Sequence, residues 1–301
     1  MSRTPVATML TWTAAVFTLM ALVGSPRSNA DSSPPTVTQV GSRIDISGNF
    51  SPAFREASGL GLAKNETKLW SISDENFTIY KMNLDGSKAE SFNPTPASGV
   101  GTISGTDFEG VTFAPPPPGS SNDHYIYLAN EAAVGILPVN YDSQKYHTQK
   151  TLSSMAGYST VQCQSGVTPA SAFTGSSATE SGLEGITWDG SQFFVIKEKS
   201  PGLMIRISAD LTTIQECKVL SFSADYSDIS YDPTRNLFWI VSDESSSLYL
   251  YNWSNNSVVQ TYPLGYGNGE GVSYDPQNHR LYIVTDNGQS TDSYLYTYNV
   301  Q

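Results

Sequence analysis

The stretch GEGVSYDPQNHRLYIVTDN at residues 269–287 contains the pattern that decides the fold. An acidic residue between glycines opens a short apolar run, Asp275-Pro276 marks a turn, and a second run rich in β-branched and aromatic residues ends in Asp286-Asn287. Proline after aspartate favours a turn, and runs of this composition are typical of strands. The unit therefore predicts two antiparallel strands, with polar residues at the end that both strands share.

This unit recurs along the whole chain. Counted from the openings at Glu56, Glu109, Glu184, Asp228 and Glu270, the intervals are 53, 75, 44 and 42 residues. No stretch shows a long helical period. A repeat of this length built from strand patterns predicts a β-propeller, in which each repeat forms one four-stranded blade.

We expect an all-β, five-bladed propeller that spans residues 31–301 as a single domain. The last blade lacks one strand because the chain ends at Gln301, and the alternating segment 42–46 is expected to supply it and close the ring. Residues 141–181, rich in Ser, Thr, Gly and Ala, are interpreted as a long outer hairpin or loop. A degenerate sixth blade in this segment is the alternative.

The first thirty residues indicate export. Residues 1–30 combine a positive start at Arg3, an apolar stretch and a small-residue end at Ala30, as a secretory signal peptide does; an uncleaved anchor is the alternative. We expect a secreted or periplasmic protein at the cell exterior, with no membrane span after signal removal. In such an oxidising compartment Cys163 and Cys217 are predicted to form a disulfide, and two free thiols are the competing case.

The charge of the chain limits its partners. It carries 16 Lys+Arg and 28 Asp+Glu, and loss of Arg3 and Arg27 with the signal peptide leaves 14 − 28 = −14. This charge opposes binding to nucleic acid or to an anionic membrane. We expect a monomer whose partner is a small molecule, a glycan or a protein.

The acids of the five openings are candidate metal ligands. Equivalent positions in a closed ring face a common axis, so these carboxylates are expected to converge on the central channel. Without a partner they would repel one another at a cost of several kcal/mol. Hard oxygen ligands without His or Cys favour Ca²⁺. The alternative is that they are salt-bridged or solvated at the channel mouth. The predicted set is Glu56, Glu109, Glu184, Asp228 and Glu270.

A second acidic set follows the second strand of each repeat. Side chains alternate along a strand, so only one member of each adjacent pair faces the channel. Lys197, Lys199 and Arg55 are the nearby cations that could neutralise this set instead. The predicted set is Glu75, Glu131, Glu198, Glu244 and Asn287.

Nothing in the motifs supports nucleophilic catalysis. The chain has no Gly-x-Ser-x-Gly elbow, and His124, His147 and His279 fall in predicted loops rather than beside a candidate nucleophile. No catalytic residue is assigned. The leading hypothesis is a calcium-binding interaction module, and the alternative is a calcium-dependent hydrolase that uses a metal at the channel mouth.

The order of these motifs resembles a known family. Glu56-x-Ser58-Gly59 with Ser73-Asp74-Glu75, Asp107-Phe108-Glu109-Gly110, Leu183-Glu184-Gly185 and their later counterparts are similar to the SdiA-regulated, YjiK-like family of exported bacterial propellers. The resemblance runs from Glu56 to Thr285 and implies a calcium-associated propeller of the periplasm or cell exterior. Two departures are the insertion at 141–181 and Asn130, where the family has aspartate.

A weaker resemblance links the Glu-Gly openings to the esterase-like, phytase-associated propellers and, more distantly, to calcium-dependent lactonases. In those lactonases an acidic residue that opens an inner strand binds the catalytic metal. This resemblance implies the hydrolase alternative, in which the metal polarises a carbonyl or phosphoryl oxygen of an ester, a lactone or a phosphate ester.

Overall fold

The computed structural model describes residues 33–51, 53–63, 67–103, 105–120, 124–174, 182–286 and 292–301. Its strands form five separate, mainly antiparallel sheets. In each sheet, successive strands of the chain lie progressively further out from an inner strand. These sheets are the five blades of a propeller, so the prediction of an all-β, five-bladed propeller is confirmed. The described residues contain no sixth blade.

Three blades have four consecutive strands each. Blade one consists of β3 (Ala57–Leu62), β4 (Lys68–Ser73), β5 (Ile79–Asn83) and β6 (Lys88–Phe92). Blade three consists of β13 (Leu183–Trp188), β14 (Phe193–Lys197), β15 (Gly202–Ile207) and β16 (Ile214–Leu220). Blade four consists of β17 (Asp228–Asp232), β18 (Leu237–Ser242), β19 (Ser247–Asn252) and β20 (Ser257–Pro263).

Blade two carries the long insertion. Its three inner strands are β8 (Phe108–Ala114), β9 (Tyr125–Asn130) and β10 (Gly135–Asn140). Outside them lie the short strands β7 (Thr95–Pro96), β11 (Lys145–Tyr146) and β12 (Lys150–Thr151). The insertion continues through a 3-10 turn (Leu152–Ser154) and the four-residue helix α1 (Pro169–Ala172), and packs on the core between blades two and three. The segment interpreted as a long outer hairpin or loop thus contains both short paired strands and loop segments.

Blade five is completed by the N-terminal segment. Its own strands are β21 (Gly269–Asp275), β22 (Arg280–Thr285) and β23 (Tyr294–Val300). Both β1 (Val37–Gln39) and β2 (Ile44–Asp45) pair antiparallel with β23, and a 3-10 turn (Ser47–Asn49) follows. The predicted closure of the ring by the segment around residues 42–46 is confirmed, and β1 extends it.

The core is divided into five apolar clusters, each of which lies between two neighbouring blades. The cluster between blades one and five, for example, contains Leu69 of β4 and Val284 of β22. Inner strands are apolar on both faces because each blade is packed between two others. The five interfaces close the circle.

The sulfur atoms of Cys163 and Cys217 are bonded, which ties the insertion to the outer strand of blade three. Contacts group Pro34–Gln301 into one unit. The signal peptide expected at residues 1–30 lies outside the described residues. Within the described residues, no helix has both the length and the apolar character needed to cross a membrane.

Candidate metal centre

Three glutamates are placed at one mouth of the channel by β-bulges. The pairing of the inner strand with its neighbour shifts register at Glu109, Glu184 and Glu270. A β-bulge leaves one residue out of the ladder and redirects its side chain. The charge of Glu184 interacts with those of Glu109 and Glu270, although the three residues belong to blades two, three and five. The bulges therefore turn three predicted ligands towards a common space.

Blades one and four carry serine at this position. In blade one the irregular stretch contains Ser58, whose hydroxyl donates a hydrogen bond to Glu109. In blade four the equivalent residue is Ser227. The next residue, Asp228, pairs with the second strand in the same way as Gly185, the glycine that follows the glutamate in blade three. The sequence placed Glu56 and Asp228 in this set. Strand pairing corrects the alignment by two residues in blade one and by one in blade four.

Strand pairing also changes the alignment of the second acidic set between blades. Glu131 and Glu198 each follow the last paired residue of the second strand, as predicted. In the other blades this position belongs to Asp74, Asp243 and Asp286, which are partly buried, whereas Glu75 and Glu244 beside them are exposed. The predicted set contained Glu75 and Glu244, which are the exposed members of their Asp-Glu pairs. Asn287 lies outside the described residues.

The two sets meet in two groups of carboxylates. Within each group, one oxygen from each residue lies within 4.8 Å of the others. The first group consists of Asp107, Glu109 and Glu131, and the second of Glu131, Glu184 and Glu198. Glu131 belongs to both. Asp107 was not among the predicted ligands, although it stands in the opening motif two residues before Glu109.

Burial and mutual repulsion raise the pKa values of several acids at this mouth. Burial is the largest cause for Glu109, Glu184 and Glu270, and neighbouring carboxylates add to it. The pKa of Asp74 rises to about 7, first through burial and then through the charge of Glu56. Each shift means that the mouth disfavours the ionised form unless positive charge is supplied.

Two lysines of blade three supply part of that charge. The Nζ atom of Lys199 lies 2.6 Å from Glu198 Oε1 and 2.9 Å from Glu244 Oε1. Lys197 is fully buried, and its Nζ donates to the main-chain carbonyl of Lys199. Burial lowers the pKa of Lys197, and the charges of Glu198 and Glu184 oppose the shift. Both lysines belong to one blade, whereas the acids come from all five.

Asp228 belongs to neither carboxylate group. It is fully buried, and its Oδ2 accepts hydrogen bonds from the backbone N–H groups of Leu60, at 3.1 Å, and Val272, at 2.9 Å. These donors belong to the inner strands of blades one and five. Burial raises the pKa of Asp228, and the backbone donors oppose the rise.

The donor atoms of the two groups fit a hard divalent cation. All of them are carboxylate oxygens, and neither group contains His or Cys. Ca²⁺ accepts six to eight oxygen ligands in loose geometry, while Zn²⁺ and copper prefer nitrogen or sulfur. The residues that would hold Ca²⁺ are those of the two groups, with Glu131 available to both.

The chain is a five-bladed β-propeller with glutamates at three β-bulges around one mouth of its channel. This is the class of protein that the opening motifs indicated. The chain belongs to the SdiA-regulated family, whose model matches residues 38–268. This confirms the family resemblance seen in the sequence. No curated protein sequence matches the chain.

Solved structures share the fold at low sequence identity. The glutaminyl cyclase of Myxococcus xanthus superposes with a TM-score of 0.58 at 7% identity, over 90% of this chain and 99% of that one. A luciferin-regenerating enzyme has a TM-score of 0.49 at 10% identity, over 88% and 95% of the two chains. The β-propeller domain of Cps50 (Swd1) from Myceliophteria thermophila has a TM-score of 0.42 at 10% identity, over 80% and 83%. Likeness at these identities concerns the fold alone.

Proposed function

We propose that this protein is exported, binds Ca²⁺ at the acidic mouth of its channel and acts as a binding module for a small molecule, a glycan or a protein. The observation that carries the proposal is the pair of carboxylate groups that share Glu131, each with oxygens within 4.8 Å of one another. Such an arrangement is costly in the ionised state without a cation, since like charges are held together in a partly buried space.

The geometry of Glu131 supports this role. Its Oε1 accepts a hydrogen bond of 2.9 Å from the backbone N–H of Gly182, which fixes the carboxylate between the two groups. A carboxylate has about four acceptor sites, so one hydrogen bond leaves others for a metal. With two groups around one such residue, the mouth offers enough oxygen ligands for the six to eight that Ca²⁺ takes.

Export is supported by the bond between Cys163 and Cys217, because disulfides persist mainly outside the reducing cytosol. The net charge of the chain, −12, is consistent with an uncharged or cationic partner. A Ca²⁺ ion at the mouth would also attract oxygen-rich ligands, such as the hydroxyl groups of a glycan, to any coordination position that the protein leaves open.

Calorimetry with and without a chelator tests the calcium site. Ca²⁺ that binds the folded state raises the free energy of unfolding by about 2.7 kcal/mol when its concentration is a hundred times Kd. Glu184→Gln removes a charge and keeps the size of the side chain, so it should reduce the calcium-induced shift and have little effect in chelator. The matched control is Glu90→Gln, which removes an exposed charge from the outer strand of blade one and should leave the shift unchanged.

A wild-type protein whose unfolding temperature does not respond to Ca²⁺ would reject the calcium site. An equal effect of Glu184→Gln with and without Ca²⁺ would mean that the acids have only structural partners. Hydrolysis of simple esters, lactones or phosphate esters that is lost in chelator, while the protein stays folded, would replace the binding-module role with that of a metal-assisted hydrolase.

A further inference from the structure

Asp228 occupies a position that is glycine in the other four blades. It pairs with Val241 of the second strand, as Gly185 pairs with Ile196 in blade three. At those four glycines the inner strands approach each other too closely for an ordinary side chain. A Cβ atom at Gly110 would lie 2.9 Å from the Cα of Gly185, which real Cβ atoms essentially never show. The equivalent glycines are Gly59, Gly110, Gly185 and Gly271.

The carboxylate of Asp228 is surrounded by backbone donors from the inner strands. Its Oδ2 accepts from Leu60 of blade one and Val272 of blade five. The N–H groups of Ile186 in blade three and Ile229 in blade four also face the carboxylate. Its Oδ1 is buried and makes no hydrogen bond of normal geometry to any described residue. Four of the five blades therefore direct a donor at one side chain near the channel axis.

The donors around Asp228 are suited to an anion, and they oppose the rise in its pKa that burial causes. Backbone N–H groups donate and cannot accept, so the four donors would stabilise an ionised carboxylate and offer nothing to the proton of a neutral one. Clusters of converging backbone N–H groups bind anions in other folds for the same reason.

We propose that the backbone N–H groups of the inner strands form an axial anion-binding site, that the carboxylate of Asp228 fills this site from within the chain, and that a small carboxylate such as formate binds there when the side chain is removed. The site differs from the acidic mouth in its ligands, which are backbone donors rather than carboxylates. Its test therefore does not depend on calcium.

Chemical rescue of Asp228→Gly provides the experiment. Glycine is the residue at this position in the other blades, so the backbone should accept it, and the vacated donors should bind added formate. We expect formate to raise the unfolding temperature of full-length Asp228→Gly, in chelator, by roughly 3 °C or more above its effect on the wild type. Formamide has nearly the same size but no charge, and it should give no such rise.

Two further variants make the comparison specific. Leu248→Ala opens an apolar cavity in the same blade, and formate should not stabilise it beyond its effect on the wild type, which excludes a general salt effect. Asp228→Asn keeps the site filled but brings an amide N–H₂ group among the donors. It should be less stable than the wild type and should not respond to formate.

The proposal fails if formate does not stabilise Asp228→Gly more than Leu248→Ala. Equal rescue by formate and formamide would also overturn it, because the site would then select for size and not for charge. If Asp228→Gly does not fold in plain buffer, the yield of refolded protein in formate and in formamide gives the same comparison, and equal yields would count against an anion site.

Discussion

The high pKa of Asp74 predicts how stability depends on pH when no calcium is present. Burial and the charge of Glu56 raise this pKa from 3.8 to about 7 in the folded protein. A carboxyl whose pKa is higher when folded stabilises the protein below its unfolded value, and this stabilisation is lost as pH rises through the folded value. In chelator, the free energy of unfolding should therefore fall between about pH 4 and pH 7.

The size of this effect follows from the shift. At 1.36 kcal/mol per pH unit, a rise from 3.8 to about 7 corresponds to roughly 4 kcal/mol. Asp74 is only partly buried, so solvent screening reduces the effect, and we expect about 2 kcal/mol. Asp74→Asn removes the titrating group, and its unfolding temperature should therefore decline less with pH than that of the wild type, by roughly 5 °C.

Thermal unfolding in chelator, measured at intervals from pH 4 to pH 8, tests the prediction. The control is Glu75→Gln, which changes the exposed neighbour on the same strand end and should follow the wild-type curve. Addition of Ca²⁺ should flatten the wild-type curve, because the cation favours the ionised carboxylates. If the unfolding temperatures of Asp74→Asn and wild type decline in parallel with pH in chelator, the raised pKa of Asp74 does not explain the loss of stability.

Three other predictions concern the fold. Deletion of residues 31–46 should lower stability by several kcal/mol in a thermal melt, since β1 and β2 are lost and β23 becomes an open edge; an unchanged melting temperature would contradict closure by these strands. The bond between Cys163 and Cys217 spans a sequence separation of 54 residues and should contribute about 4 kcal/mol to the free energy of unfolding. Denaturant unfolding of the double variant Cys163→Ala/Cys217→Ala measures this contribution. Two alkylatable thiols in the unreduced, denatured wild type would refute the bond. Gly110→Ala should destabilise by about 1–3 kcal/mol because its Cβ meets blade three, while Gly101→Ala, with nothing within 4 Å, should stay within about 0.5 kcal/mol, and equal effects would refute the close approach at the axis.

The architecture was predictable because it depends on patterns that repeat. Residues 228–244 and 269–287 show the same order of acid, strand, Asp-Pro turn and strand, and one such unit suffices to interpret the others. The closing strand was predictable from a count, since the last blade ended one strand short. The elements inside the insertion were not predictable, because they are held by contacts with blade three and by Cys163 rather than by a local pattern.

The acidic composition of the candidate site was predictable, but the alignment of its residues between blades was not. Glu109, Glu184 and Glu270 were aligned with one another because glycine follows each of them, and the same signal at Ser58-Gly59 was overlooked in favour of the acid Glu56. A β-bulge adds one residue to a strand without any mark in the sequence, so blades with and without it cannot be aligned by spacing alone. Asp228 was grouped with the ligands for its charge, whereas its position is that of a glycine.

The pairing of β1 with β23 also sets an order on folding. Thr36 and Gln301 exchange backbone hydrogen bonds across a sequence separation of 265 residues, so the first strands of the domain have no partner until the last residues have been synthesised. Contacts of such long range slow folding, because much of the chain must be ordered before they form. A nascent chain can assemble its middle blades early, but its ring stays open until β23 has been synthesised and can pair with β1 and β2. For a polypeptide that crosses a membrane unfolded, this delay would favour completion of the structure only after the whole chain has passed.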